Sequence, residues 1–107
     1  MTDSTDQATP NTDEIEVRDH PAESRYEARR GEQVLGVVDY RLDPDGGIVL
    51  VHTGVRAEAE GMGVGTRLAK GALDDIRARD IKLTIECPFI AAYIRRHRSD
   101  YADLIDR

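Results

Sequence analysis

The chain has 107 residues, room for one domain with a modest core. Hydrophobic residues make up 39% and charged residues 34%, ordinary for a globular protein, and the net charge of −6 argues against a nucleic-acid partner or an anionic membrane surface. The single cysteine, Cys87, excludes an internal disulfide; with no apolar run near the ~18 residues of a membrane span and no basic-then-apolar leader, the expected location is the cytoplasm.

Residues 1–13 are polar and acidic, and they are expected to form a disordered tail ahead of a domain at 14–107. From Glu14 the texture becomes that of strands. Ile15-Glu16-Val17 alternates apolar and polar, as a half-buried strand does. Ser24 to Arg29 reads as a second strand, Arg30-Gly31-Glu32 as a turn, and Gln33 to Leu42 as a third strand. The stretch Asp43-Pro44-Asp45-Gly46-Gly47 is a strong turn signal. Ile48 to Val55 follows and is apolar on both faces, which predicts a strand placed centrally in the sheet. Short connections make this meander antiparallel.

A glycine-rich turn, Glu60-Gly61-Met62-Gly63-Val64-Gly65-Thr66, then leads into a helix of about four turns. Leu68, Ala69, Ala72, Leu73 and Ile76 recur on one face of it. Ile81, Leu83, Ile85 and Cys87 alternate with polar residues and should point inward from a further strand. Pro88 suits the first turn of a second helix, running through Phe89, Ile90, Tyr93, Ile94 and His97. Tyr101, Leu104 and Ile105 are expected to dock as a short terminal helix. The order β-β-β-β-α-β-α gives an α+β domain, with a mixed, mostly antiparallel sheet flanked by two main helices.

The turn is the feature that carries chemistry. A helix N-terminus offers unpaired N–H groups and a partial positive charge, and glycines let an anion come close. A nucleoside-triphosphate loop would need Gly-Lys-Ser/Thr, and Gly65-Thr66-Arg67 does not supply it. A dinucleotide fingerprint needs Gly-x-Gly-x-x-Gly, whereas the spacing here is Gly-x-Gly-x-Gly. A tight turn with no ligand is the plain alternative.

The turn also resembles the coenzyme A loop of the GNAT acetyltransferase superfamily, Gln/Arg-x-x-Gly-x-Gly/Ala, in every position but the first, where Glu60 stands. From about Glu14 onward the chain is similar to the short single-domain, YjdJ-type branch of that superfamily. The residues carrying this likeness are His52-Thr53 with Val55, Gly63-Val64-Gly65, Leu68-Ala69, Cys87-Pro88-Phe89, Tyr93-Ile94 with His97, and Tyr101 to Leu104. The resemblance implies a minimal GNAT-like fold whose strands at 48–55 and 81–87 splay apart around acetyl-CoA or CoA. It implies that Thr53, Gly54 and Val55 lie along the pantetheine, and that Gly61, Met62, Gly63, Val64, Gly65 and Thr66 face the pyrophosphate. Glu60 and Glu58 should weaken that grip, with Arg56, Arg67 or Lys70 as compensating cations.

Acyl transfer needs a nucleophile, an oxyanion donor and a proton for the leaving thiolate. A backbone N–H near Val55 could serve the oxyanion. Cys87, just before a helix N-terminus, is a candidate acyl-carrying nucleophile, against the plainer reading of a buried core thiol. His52 is a candidate general base, against a hydrogen-bonded histidine at a strand end. The resemblance implies Tyr93 as a candidate acid for the thiolate, against helical core packing. His97 shares a helix face with Tyr93 and is carried with the cofactor-lining residues, against packing. A zinc site from His52, Cys87 and His97 lacks any supporting ligand spacing, so no metal is expected. The expected activity is acetyl transfer from acetyl-CoA to an amine, possible through Cys87. The alternatives are a CoA-binding sensor or scaffold without turnover, and a structural module with an empty turn. Partners are acetyl-CoA and an acceptor, without nucleic acid or membrane, in a monomer or weak homodimer.

Overall fold

The computed structural model describes residues 15–105, so the tail expected at 1–13 lies outside the described residues. Five strands form one sheet in chain order: β1 (Glu16–His20), β2 (Arg25–Arg30), β3 (Gln33–Leu42), β4 (Ile48–Val55) and β5 (Leu83–Ile85). Three helices accompany it: α1 (Val64–Ala78), α2 (Pro88–Arg96) and α3 (Arg98–Ile105). The architecture is α+β with a mixed sheet.

Connection length explains the strand directions. A single 3₁₀ turn at Pro21–Glu23 joins β1 to β2, and the Asp43–Gly47 loop closes on itself through Asp43 N–H to Gly47 O at 2.8 Å. Such links permit only antiparallel neighbours, and β1 to β4 are paired that way. The long α1 crossover returns the chain in the same direction, so β5 pairs with β4 in parallel. β4 therefore has a neighbour on each side but is fourth of five, one place from the centre.

The apolar stripe of α1 (Val64, Leu68, Ala69, Ala72, Leu73 and Ile76) is buried against Tyr26, Ala28, Leu35, Val38, Ile48 and Leu50 in one cluster. Each large side chain there contributes about 1.5–3 kcal/mol by leaving water. Ile90, Tyr93 and Ile94 of α2 and Tyr101 and Leu104 of α3 join the same cluster. Ile105, expected to dock with them, is exposed, because α3 turns only Tyr101 and Leu104 inward. Among the described residues the helices pack on one face of the sheet.

Two irregularities shape the site. In the β3–β4 register Asp39 faces His52 but Tyr40 faces Leu50, so Val51 is an extra, bulged residue. β5 is also short. The apolar alternation from Ile81 to Cys87 suggests seven residues, yet only Leu83 to Ile85 pair, opposite Ile48 to Leu50. The Leu50 carbonyl then accepts both the Glu86 and Cys87 N–H groups, at 2.8 and 3.0 Å, and the chain leaves into α2.

Candidate functional site

The parting of β4 and β5 leaves Thr53 to Val55 without a strand on one side among the described residues. The bulge decides which backbone groups face that gap. Ile48 N–H and Leu50 C=O point toward the β5 side, bonding Lys82 and residues 86–87, while Arg56 N–H points the other way, to Leu35 O at 2.9 Å. Alternation back from Arg56 turns the N–H and C=O of Val55 and Thr53 into the gap. A regular strand would have presented His52 and Gly54 there instead.

The side chain of Thr53 meets Cys87 across the gap, Oγ1 to Sγ at 3.1 Å. Cys87 is only 1% exposed and occupies the position just before α2, whose first helical residue, Pro88, has no N–H to cap. The thiol therefore sits at the head of a helix with its sulfur turned to a hydroxyl.

The glycine-rich turn lies beside this gap. Gly61 and Gly63 have φ of 88° and 77°, the left-handed region that a Cβ disfavours, and neither position has an atom within 4 Å of a hypothetical Cβ. Gly65 serves differently. A Cβ there would come within 2.8 Å of the Phe89 ring, so this glycine lets α2 close onto α1. No side chain caps α1 at Gly63, and its first turn carries no acidic residue. The N–H groups of Val64, Gly65 and Thr66 are then the helix's orphan donors. They open on a cleft of about 230 Å³ lined by Val55, Ala59, Glu60, Gly61, Gly63–Thr66 and Phe89. Met62 instead turns inward onto the core, its N–H held by Ala59 O at 3.2 Å.

Charges near the cleft are partly paired. Glu58 bonds Arg56 at 3.0 Å, and Lys70 bonds Asp74 at 2.8 Å, a contact that raises the Lys70 ammonium above its ordinary range. Glu60 lines the cleft itself. The donor set fits a bound diphosphate through backbone N–H groups, with Glu60 as an opposing charge.

The remaining candidates lie elsewhere. His52 is adjacent to Thr53 in a strand, so it points to the opposite face, where its ring stands 3.7 Å from a Cβ built on Gly54. There it lines a cleft of about 500 Å³ with Arg25, Val34, Val37, Gly54 and Arg56. Val55 borders both clefts. Tyr93 is buried within α2, its ring stacked on His97 at 4.2 Å, and His97 Nδ1 lies 2.9 Å from the Tyr93 carbonyl. His97 ends α2 and Cys87 precedes it, so they stand at opposite ends of nine helical residues. No group of three metal-ligating side chains occurs among the described residues.

Phe89, part of the Cys87-Pro88-Phe89 likeness but given no role there, lines the α1 cleft. Glu27, outside both clefts, escapes the sequence reading. Glu27 is buried on the uncovered sheet face, clamped by Arg25 and Arg29 at 2.8 Å each. Burial alone would raise its carboxyl, but the hydrogen bonds from Arg29 and Arg25 outweigh that and hold it below the ordinary range. The alternation Arg25-Tyr26-Glu27-Ala28-Arg29 announces that clamp in a strand.

A family model described as GCN5-related N-acetyl-transferase matches residues 25–104, which takes in both clefts and all three helices but their last residue. A search of curated proteins found no match to the chain. No helix among the described residues is long and apolar enough to cross a membrane.

Proposed function

Because the chain belongs to the GCN5-related N-acetyl-transferase family, we propose that it transfers an acetyl group from acetyl-CoA to an amine, as a member of the YjdJ-type branch acting in the cytoplasm. The observation that carries this reading is that Val55, at the end of the unpartnered β4 edge, lines the cleft at the uncapped N-terminus of α1.

In this reading the Val64, Gly65 and Thr66 N–H groups hold the pyrophosphate, and Gly61 and Gly63 shape the turn that exposes them. The backbone of Thr53 and Val55 pairs with the pantetheine amides. Acetyl-CoA, when bound, supplies an activated acyl thioester. The Val55 N–H stabilises the oxyanion, since a fixed donor costs no reorganisation when charge develops. His52 takes a proton on the acceptor side. The burial of Cys87 against Thr53 supports direct transfer, with Cys87 as a wall of the site rather than a relay. Tyr93 and His97 anchor α2.

The test is calorimetric titration with CoA and acetyl-CoA, followed by intact mass and an amine transfer assay. Binding, transfer to an amine, and persistence of turnover in Cys87→Ala are expected. An acetyl adduct lost in Cys87→Ala, together with lost turnover, would replace direct transfer by a covalent relay. Tight binding without transfer to any amine would mark a CoA sensor, and no binding at all would sink the reading.

A further inference from the structure

The face of the sheet away from the helices bears side chains in cross-strand rows. One row runs His20, Arg25, Asp39 and His52 across β1 to β4. At its β4 end lies the cleft of about 500 Å³, in the size range of small-molecule sites. Two guanidiniums and an imidazole line it, and among the described residues no carboxylate does, on a chain of net charge −6. Asp39 stands in the same row but is not among its lining residues.

Arg25 and Arg29 share the one carboxylate of Glu27, and Asp39, the cross-strand neighbour of Arg25 and His52, adds a further negative charge to the row. Arg56 pairs with Glu58 on the surface, where the two side chains are 53% and 56% exposed, and water-screened pairs of this kind yield readily to a ligand. Val34 and Val37 give the cleft an apolar floor, and Gly54 leaves the β4 backbone bare beside His52. Val55 borders this cleft and the α1 cleft alike, so the two faces meet at the open edge of β4.

We propose that this uncovered face receives the acyl acceptor, and that the acceptor is a small amine carrying a carboxylate. The inference rests on the acyl-transfer reading above. The carboxylate docks on Arg56 and Arg25, and the methylene stem lies on Val34 and Val37. The neutral amine forms a C–N bond to the acyl carbon as the thioester C–S bond breaks. The nitrogen gives up one proton to His52, and that same proton, passed on through solvent, ends on the departing thiolate, giving an N-acyl amino acid, the CoA thiol and a neutral His52.

Two measurements on the full chain separate this inference from the reading beneath it. The first, without CoA, titrates ω-amino acids from glycine to ε-aminocaproate, and the matching n-alkylamines, against the amide resonances of Val37, His52 and Gly54. The amino acids should shift these resonances and the alkylamines should not, and Arg56→Gln should weaken the binding about tenfold. Arg56 is the better probe because Arg25 covers buried Glu27, and its loss endangers the fold. If no amino acid shifts these resonances, the inference is overturned whether or not CoA binds. The second compares the same pairs as acceptors with acetyl-CoA. kcat/KM should favour the amino acid about tenfold or more, and the preference should fall toward unity in Arg56→Gln. Equal rates for both series overturn the inference and leave acyl transfer standing. Shifts in a chain that does not bind CoA overturn the acceptor role along with the transfer reading.

Discussion

Thr53 Oγ1 and Cys87 Sγ lie 3.1 Å apart where β4 and β5 separate, and this contact joins the end of one strand to the head of α2. Thr53→Val keeps the shape and removes the hydroxyl, leaving a buried thiol facing a methyl group. We expect a double-mutant cycle of Thr53→Val with Cys87→Ala to give a coupling of about 1 kcal/mol in urea unfolding, the usual worth of such a bond. Thr53→Ser should restore it. Additive losses would show that the two side chains are neighbours without an energetic link.

The three glycines of the turn should separate by mechanism. Gly61→Ala and Gly63→Ala force a Cβ into a left-handed conformation, at about 1–2 kcal/mol each. Gly65→Ala sits in a helix at ordinary φ, where alanine is favoured by up to about 1 kcal/mol, and it meets only the tip of the Phe89 ring. Its melting temperature should stay close to that of the parent while CoA affinity falls, because a displaced Phe89 reshapes the cleft wall. A Gly65→Ala protein as unstable as Gly63→Ala would show that Phe89 cannot move.

Most of the scaffold was legible because its signals are local. β3 and β4 occupy the spans that their turn residues and apolar runs mark out, and every position expected on the buried face of α1 from Leu68 to Ile76 is buried. Periodicity also oriented Ile81 to Cys87 correctly, but it could not report pairing. Whether β5 continues opposite β4 is set by where α2 departs, a tertiary matter. The bulge at Val51 was hidden for a different reason. A strand apolar on both faces shows no break in alternation, so nothing in Ile48 to Val55 reveals that Thr53, and not His52, turns toward Cys87. The uncovered sheet face was invisible because it depends on which side all three helices choose.

Glu60 borders the cleft at the N-terminus of α1, where a bound diphosphate would meet like charge. Glu60→Gln keeps size and polarity and removes the repulsion. CoA should bind it about three- to tenfold more tightly at low salt, with the gain shrinking as salt screens the pair. Dephosphorylated pantetheine, which lacks the diphosphate, should bind parent and variant alike. An unchanged Kd for CoA would place the diphosphate away from this carboxylate.

Stability at alkaline pH should report on a polar network that ties α1 to the sheet. Tyr40 donates to Asp19 at 2.7 Å, Tyr26 donates to Asp75 at 2.7 Å, and Arg79 bonds both carboxylates at 2.8 Å. Burial, reinforced by the hydrogen bond to Asp19, pushes the Tyr40 phenol up to about 12, and burial with the bond to Asp75 raises Tyr26 as well. Each phenol thus stays neutral in the folded protein at a pH where the unfolded chain has lost its proton. Their contribution is complete below the ordinary tyrosine value of 10.0 and fades as pH rises toward the folded one, about 12 for Tyr40. Lysine titration adds little background, since Lys70 and Lys82 are the only two in the sequence. Tyr40→Phe should cost about 1–2 kcal/mol at neutral pH, because a buried hydrogen bond is lost while Asp19 keeps Arg79. Between pH 10 and 12 its urea midpoint should fall less steeply than that of the parent, so that the two curves converge. Parallel curves across that window would mean that the Tyr40 phenol ionises in the folded protein as it does in the unfolded chain.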